Sequence, residues 1–152
     1  MTDCLFCKII EGEIPSSKVY EDDHVLAFLD INPVKAGHTL VVPKTHGADL
    51  TETSERDLGR VMAVVKQIAP TIKAVVNADG FNVTSNIGTA AGQSVFHTHL
   101  HIIPRYEDDG LASWPHDGAT DEERTALAEK LRGKIKRTSI TCCKRGENKC
   151  SL

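Results

Sequence analysis

No apolar run in the chain approaches the roughly 18 residues that a membrane-spanning helix needs, and no charged-then-apolar leader pattern opens it. A cytoplasmic protein is the resulting expectation. Charge of one sign is equally scarce: 18 Lys and Arg stand against 21 Asp and Glu, a formal net charge of −3. Such a balance supplies no basic field to hold a nucleic-acid backbone by counterion release, so neither nucleic acid nor membrane is an expected partner. Cysteines number five, an odd count that argues against a disulfide framework. Internal repeats and low-complexity stretches are absent. One domain over residues 1–136 is expected, followed by a tail at 137–152, bearing Cys142, Cys143 and Cys150, that shows no period and reads as disordered or weakly attached.

What the chain does have is a run of alternating histidines, His97-Thr98-His99-Leu100-His101-Ile102-Ile103, entered from a glycine-punctuated loop at 86–94. On a strand, side chains alternate between faces, so His97, His99 and His101 would line one face about 6.5–7 Å apart. Three imidazoles make a poor core, because each carries two nitrogens that need partners when buried.

Around this run the pattern predicts a succession of helices and strands. A short helix over 4–10, capped by Asp3 and ended by Gly12, opens the chain. Strands follow at 18–20, 25–29 and 39–43, the last apolar enough to be covered on both faces. Ser54 and Asp57 cap a long helix on which Leu58, Val61, Met62, Val65, Ile68, Ile72, Val75 and Val76 fall three and four apart, with Pro70 expected to kink it. Further strands are predicted at 81–86 and 95–103. Thr120 and Glu123 form a capping box for a last short helix with a face at Ala128, Leu131 and Ile135.

Two chemistries are written into these residues. Cys4-x-x-Cys7 has the bite of two thiolates on one tetrahedral zinc, with His46 and one triad histidine as candidates to close the site. A Cys₂His₂ set is structural; two ordinary buried cysteines are the plainer reading. Separately, a neutral imidazole can attack phosphorus when its other nitrogen holds one tautomer, and crowded histidines disfavour each other's charge. The loop ending Gly92-Gln93-Ser94 adds close backbone approach and donors suited to an oxyanion.

These segments resemble the histidine triad (HIT) family, whose signature is His–apolar–His–apolar–His–apolar–apolar, with Thr98 the one non-apolar filler here. The resemblance runs from Cys4 to about Tyr106 and includes residues 6–10, 27–31, 37–46 and 92–95. It implies an α+β fold, a five-stranded antiparallel sheet with the long helix packed on it, and two chains pairing into a homodimer with a larger joint sheet. It implies a hydrolase or transferase acting at the α-phosphate of a nucleotide, with His99 as nucleophile and His101 and Gln93 on the phosphate. Ser94 would assist the leaving group and His38 would support the triad. Asp30 would accept from the ribose hydroxyls, and Phe6, Ile9, Phe28 and Ile31 would hold a purine base. Asn86, Gly92 and Val95 would lie along the same nucleotide. By the same resemblance Cys4, Cys7, His46 and His97 would bind one structural zinc per chain.

The functional expectation is hydrolysis of a nucleoside 5′-phosphoramidate or related nucleotidyl conjugate through nucleotidyl-His99, a phosphoramidase activity releasing a nucleoside monophosphate. Dinucleoside polyphosphate hydrolysis, of the diadenosine tri- and tetraphosphate type, is the alternative within the family. Outside it stand a catalytic metal on the three histidines and a nucleotide-binding adaptor without turnover. Plainer readings exist residue by residue: Phe28 and Ile31 as core, Asp30 as a turn former, His46, His24 and His116 as surface histidines. Trp114 reads as a cover for the site or as a local anchor.

Overall fold

The computed structural model describes residues 3–112, 114 and 118–136. Five strands form one sheet in the order β1-β2-β3-β5-β4, every neighbouring pair antiparallel. They are β1 (Lys18–Glu21), β2 (Val25–Leu29), β3 (Thr39–Pro43), β4 (Gly80–Thr84) and β5 (Leu100–Arg105). Among the described residues, α1 (Leu5–Ile10) precedes the strands, α2 (Glu55–Val75) joins β3 to β4, a 3₁₀ turn (Thr89–Ala91) lies between β4 and β5, and α3 (Asp121–Arg132) follows β5 in sequence.

The two faces of the sheet are covered by different helices. Val25, Ala27, Val41, Leu100 and Ile102 bury against Val61, Val64, Val65 and Ala69 of α2. The intervening residues Leu26, Phe28, Leu40 and Val42 bury against Phe6 and Ile9 of α1. β3 therefore has no exposed residue, as its continuous apolar sequence predicts. Because alternation in β5 sends Leu100 and Ile102 toward α2, His101 between them faces the α1 side.

Helix ends follow local chemistry. Ser54 Oγ accepts from Asp57 N at the start of α2, and Thr120 with Glu123 forms the full capping box of α3. Asp3 does not cap α1. Cys4 holds that position, and Asp3 pairs instead with Lys8 Nζ at 2.6 Å. On α2 the buried stripe centres on Val61, Val64, Val65 and Ala69, leaving Met62 and Val75 exposed, because both sit at the margin of the predicted face. α2 continues through Pro70, which lies on its exposed side.

The main departure is at β5, which starts at Leu100 rather than Val95. Thr98 N donates to Gly47 O at 2.8 Å, and the Thr98 hydroxyl lies 2.6 Å from that of Thr53. Thr98 thus spends its bonding groups on the linker before α2 instead of on the ladder, while the His97 and His99 carbonyls accept from His99 Nδ1 and Ser85 Oγ. His97 and His99 consequently lie off the sheet, and only His101 is a strand residue. β4 likewise stops at Thr84, leaving Asn86 in the following loop.

The chain divides into two compact units at Asp109/Gly110, and the first contains the whole sheet. In the second, no residue of α3 is buried and Trp114 is 78% exposed. The tail at 137–152, with its cysteines, and His116 lie outside the described residues.

Candidate functional site

At the start of α1, Cys4 and Cys7 turn toward His46, just beyond β3, and His97, just before β5. Cys4 Sγ and Cys7 Sγ lie 3.5 and 3.6 Å from His97 Nδ1, Cys7 Sγ lies 3.4 Å from His46 Nδ1, and the two Nδ1 atoms are 3.3 Å apart. Thiolate and imidazole ligands on one tetrahedral zinc, with bonds of about 2.3 and 2.0–2.1 Å, stand roughly 3.3–3.6 Å apart. The set fits a metal by that measure. His97 Nε2 donates to Pro43 O at 2.8 Å, which assigns the Nδ1 lone pair to the cluster, the usual outer support of a metal-binding histidine. Burial holds His97 below the ordinary histidine value; the Pro43 carbonyl opposes this, and His46 and His99 reinforce it. A neutral, ligating imidazole results.

Asp30, His38 and His101 also converge, but with different chemistry. His38 Nε2 and His101 Nδ1 are 2.9 Å apart, hydrogen-bonding distance and short for two ligands of one ion. Val34 N donates to His38 Nδ1 at 3.2 Å, so His38 carries its proton on Nε2 and donates it to His101 Nδ1. Asp30 Oδ2 stands 3.4 Å from the same His38 Nδ1 as a nearby negative charge. Burial lowers the pKa of His38 against the pull of Asp30. His101 is pushed down to about 4, by burial first and then by His99 and His38. The chain of donors leaves His101 with its proton on Nε2, an atom that is buried and without a partner.

His99 has the complementary tautomer. Its Nδ1 donates to His97 O at 2.6 Å, leaving the Nε2 lone pair free. Its ring packs edge-on to His101 at 4.9 Å between centroids and to Phe6 at 5.2 Å. A lone pair on His99 and an N–H on His101 therefore stand side by side.

Both rings line a cavity of about 740 Å³ on the α1 face of the sheet. Of the residues expected at a nucleotide, Phe6, Ile9, Phe28, Asp30, Ile31, Ser94 and Val95 share this lining. Phe6 and Phe28 meet edge-to-face at 5.5 Å and belong to core and cavity alike, whereas Ile31 is 91% exposed at the mouth. Three expected residues lie elsewhere. Gln93 is buried, with Oε1 accepting from Gly88 N and Nε2 donating to Ala48 O and Val95 O; both ends of its amide hold the loop closed. Gly92, at φ +86°, and Asn86 sit in that loop, where a Cβ on Gly92 would come 3.4 Å from Asn86 Nδ2. The turn at Ile14–Ser17 lines the same cavity with Leu5 and Leu40. Its nearness to Asp30 follows from the β1–β2 pairing, which the hydrophobic pattern alone does not reveal.

The domain model described as "HIT domain" matches residues 11–108, well over half of the chain. The protein belongs to the HIT family. A HIT family protein from Bacillus anthracis has a solved structure that is 47% identical, covers 88% of this chain and 98% of that one, and superposes with a TM-score of 0.79. A Zn-bound histidine triad family protein from Mycobacterium smegmatis is 42% identical over 86% and 97% of the two chains, with a TM-score of 0.69. Arabidopsis thaliana adenylylsulfatase HINT3 is 49% identical over 109 residues, 72% of this chain and 55% of its own length. Among the described residues of this HIT protein, no helix is long and apolar enough to cross a membrane.

Proposed function

We propose that this HIT protein hydrolyses nucleoside 5′-phosphoramidates or related nucleotidyl conjugates through a covalent nucleotidyl-His99 intermediate. The observation that carries the reading is the pairing of tautomers. His99 Nε2 offers a lone pair to the cavity because its Nδ1 proton is held by the His97 carbonyl, and His101 Nε2 offers an unclaimed N–H beside it.

In the first step the His99 Nε2 lone pair forms a bond to the α-phosphorus while the bond from phosphorus to the leaving nitrogen breaks, and that nitrogen keeps the electron pair, takes a proton relayed from solvent by the Ser94 hydroxyl and departs as the amine. The ring, now substituted at Nε2 and protonated at Nδ1, becomes cationic. The 2.6 Å bond to the His97 carbonyl stabilises that charge where it develops. His101 Nε2–H donates to a non-bridging phosphate oxygen, and the Ser94 hydroxyl hydrogen-bonds the leaving amine. In the second step water attacks phosphorus and gives a proton to solvent, the N–P electron pair returns to His99 Nε2, and the nucleoside monophosphate leaves with His99 neutral again. Asp30 accepts from the ribose hydroxyls, and Phe6, Ile9, Phe28 and Ile31 enclose a purine. Val95 lies beside the nucleotide in the cavity lining, and Gln93 fastens the loop that carries Gly92 and Asn86.

Zinc is the metal proposed for Cys4, Cys7, His46 and His97, in keeping with the Mycobacterium relative. When bound it supplies a cross-link between α1, β3 and the segment carrying His99, and no chemistry. A catalytic metal on three histidines is not supported, since His97 turns to the thiols and His99 spends Nδ1 on a backbone carbonyl. The Arabidopsis relative's name favours an adenylyl conjugate. Two copies are proposed to pair through the edge strand β4, where Phe81 and Val83 are each 38% exposed.

The test is turnover of adenosine 5′-phosphoramidate. His99→Ala is expected to lower kcat by at least about a thousandfold with nucleotide affinity retained, as for loss of a covalent nucleophile. An unchanged rate would exclude the covalent route. Tight nucleotide binding by the unaltered protein without turnover would favour an adaptor.

A further inference from the structure

Among the described residues, two side-chain polar atoms are screened from solvent and have no hydrogen-bond partner: His101 Nε2 and Ser16 Oγ. Both residues line the same cavity. A buried hydroxyl without a partner forfeits free energy comparable to a lost hydrogen bond, so one that persists beside a cavity points to a ligand group. The reaction above gives His101 a phosphate oxygen. It leaves Ser16 without a role.

Register shows which part of a ligand Ser16 meets. His101 lies opposite Leu40, Leu40 opposite Phe28, and Phe28 opposite Lys18. Three strand spacings separate the ends of that row, roughly 14 Å. Ser16 lies two residues before Lys18, just outside β1, where Lys18 N donates to Ser16 O at 3.0 Å, and it lines the cavity at that end of the row. Leu29 N donates to Ser17 O at 3.0 Å, which brings the residue after Ser16 beside the residue before Asp30, and both Ser16 and Asp30 line the cavity. Asp30 in turn touches His38, which is bonded to His101. Along the cavity the order is His101, Asp30, Ser16, matching phosphate, ribose and base. Ser17 and Asn32 are exposed to water at that end, and Phe6, Ile9, Ile14 and Phe28 offer only apolar side chains.

We propose that Ser16 reads the base: its hydroxyl hydrogen-bonds the exocyclic group at C6 of a purine held between Phe6, Ile9 and Phe28. A hydroxyl donates and accepts, so either an amino or an oxo group is taken. A purine bearing only hydrogen at C6 leaves Ser16 unpaired. The inference rests on the nucleotidyl-hydrolase reading and sharpens its substrate class to 6-substituted purine nucleotides.

The experiment compares adenosine 5′-phosphoramidate with the 5′-phosphoramidate of unsubstituted purine riboside, on the unaltered protein, Ser16→Ala and Ser16→Thr. Ser16→Ala is expected to raise KM for the adenosine substrate about three- to tenfold, the range for one neutral hydrogen bond. It is expected to leave KM for the purine riboside substrate in place. Ser16→Thr, which keeps the hydroxyl, is expected to restore the adenosine KM. The proposal is overturned if Ser16→Ala shifts both KM values alike or shifts neither. Thermal melting identifies a variant that fails to fold, in which case the comparison between substrates is made with Ser16→Gly. If the unaltered protein turns over neither substrate, calorimetric binding of AMP and purine riboside monophosphate gives the same comparison. Binding that prefers AMP and loses the preference in Ser16→Ala upholds the role of Ser16 while the hydrolase reading fails. Absence of binding defeats both.

Discussion

At the scale of the residue, each of the three alternating histidines has one nitrogen claimed by a fixed partner, and that claim decides what the other nitrogen does. His97 gives Nε2–H to Pro43 O and faces the thiols with Nδ1. His99 gives Nδ1–H to His97 O and faces the cavity with Nε2. His101 receives at Nδ1 and presents Nε2–H. A consequence appears in the dependence of stability on pH. In the folded protein His101 titrates at about 4, below the ordinary histidine value of about 6.5. The unfolded chain therefore binds a proton first as pH falls. The stability tied to keeping His101 neutral is complete above about pH 6.5 and is lost progressively between there and about pH 4. Denaturant titrations at pH 7.5, 5.5 and 4.5 are expected to show His101→Gln losing less stability on acidification than the unaltered protein. Parallel losses would contradict the depressed value. Residue identity was legible in the sequence: the alternating histidines, Cys4-x-x-Cys7 and Asp30 all lie in or beside the site. Their partners were not, because carbonyls such as Pro43 O and His97 O carry no side-chain signature.

At the scale of the element, the cysteine–histidine cluster ties α1 to the end of β3 and to the segment leading into β5. α1 has six residues and no side-chain cap, so it holds its place by burying Phe6, Cys7 and Ile9 and by this staple. Cys4→Ser or Cys7→Ser is expected to abolish binding of about one zinc per chain. The same change is expected to lower stability by roughly 2–5 kcal/mol, the range for losing a native cross-link. Elemental analysis with denaturant unfolding checks both; full stability in metal-free protein would remove the structural role. β4 carries a second prediction. A charge on an edge strand opposes strand-to-strand association, so Val83→Lys is expected to convert a dimer to a monomer in sedimentation velocity without lowering the melting temperature appreciably. Equal sedimentation of both forms would place the interface elsewhere. Elements with strong local signals, the Thr120–Glu123 box and the apolar β3, were readable in advance. The start of β5 was not: period-two alternation continues through His97 and His99, while Thr98 is drawn to Gly47 and Thr53 by a contact between distant segments.

At the scale of the whole molecule, the sheet separates two tasks. Its α2 face is a dry core of Val61, Val65, Val41 and Ile102 that fixes the strands. Its α1 face opens between Phe6, Phe28 and Asp30 into the cavity that His99 and His101 overlook. The rigid face makes the other useful, since small errors in the placement of a nucleophile cost large factors in rate. The elements and the histidine run could be read from periodicity and motif, and the sheet they build from the family resemblance those motifs carry. The cavity could not, because it depends on β1 and the 14–17 turn folding back beside Asp30. The most direct test of the chemistry proposed for this site is a rapid acid- or base-quench of turning-over protein with adenosine 5′-phosphoramidate, followed by peptide mass spectrometry. An adenylyl group on His99 is expected, formed as fast as turnover requires and absent in His99→Ala. A nucleotide attached to any other residue, or full turnover with no covalent adduct at any time point, would contradict it.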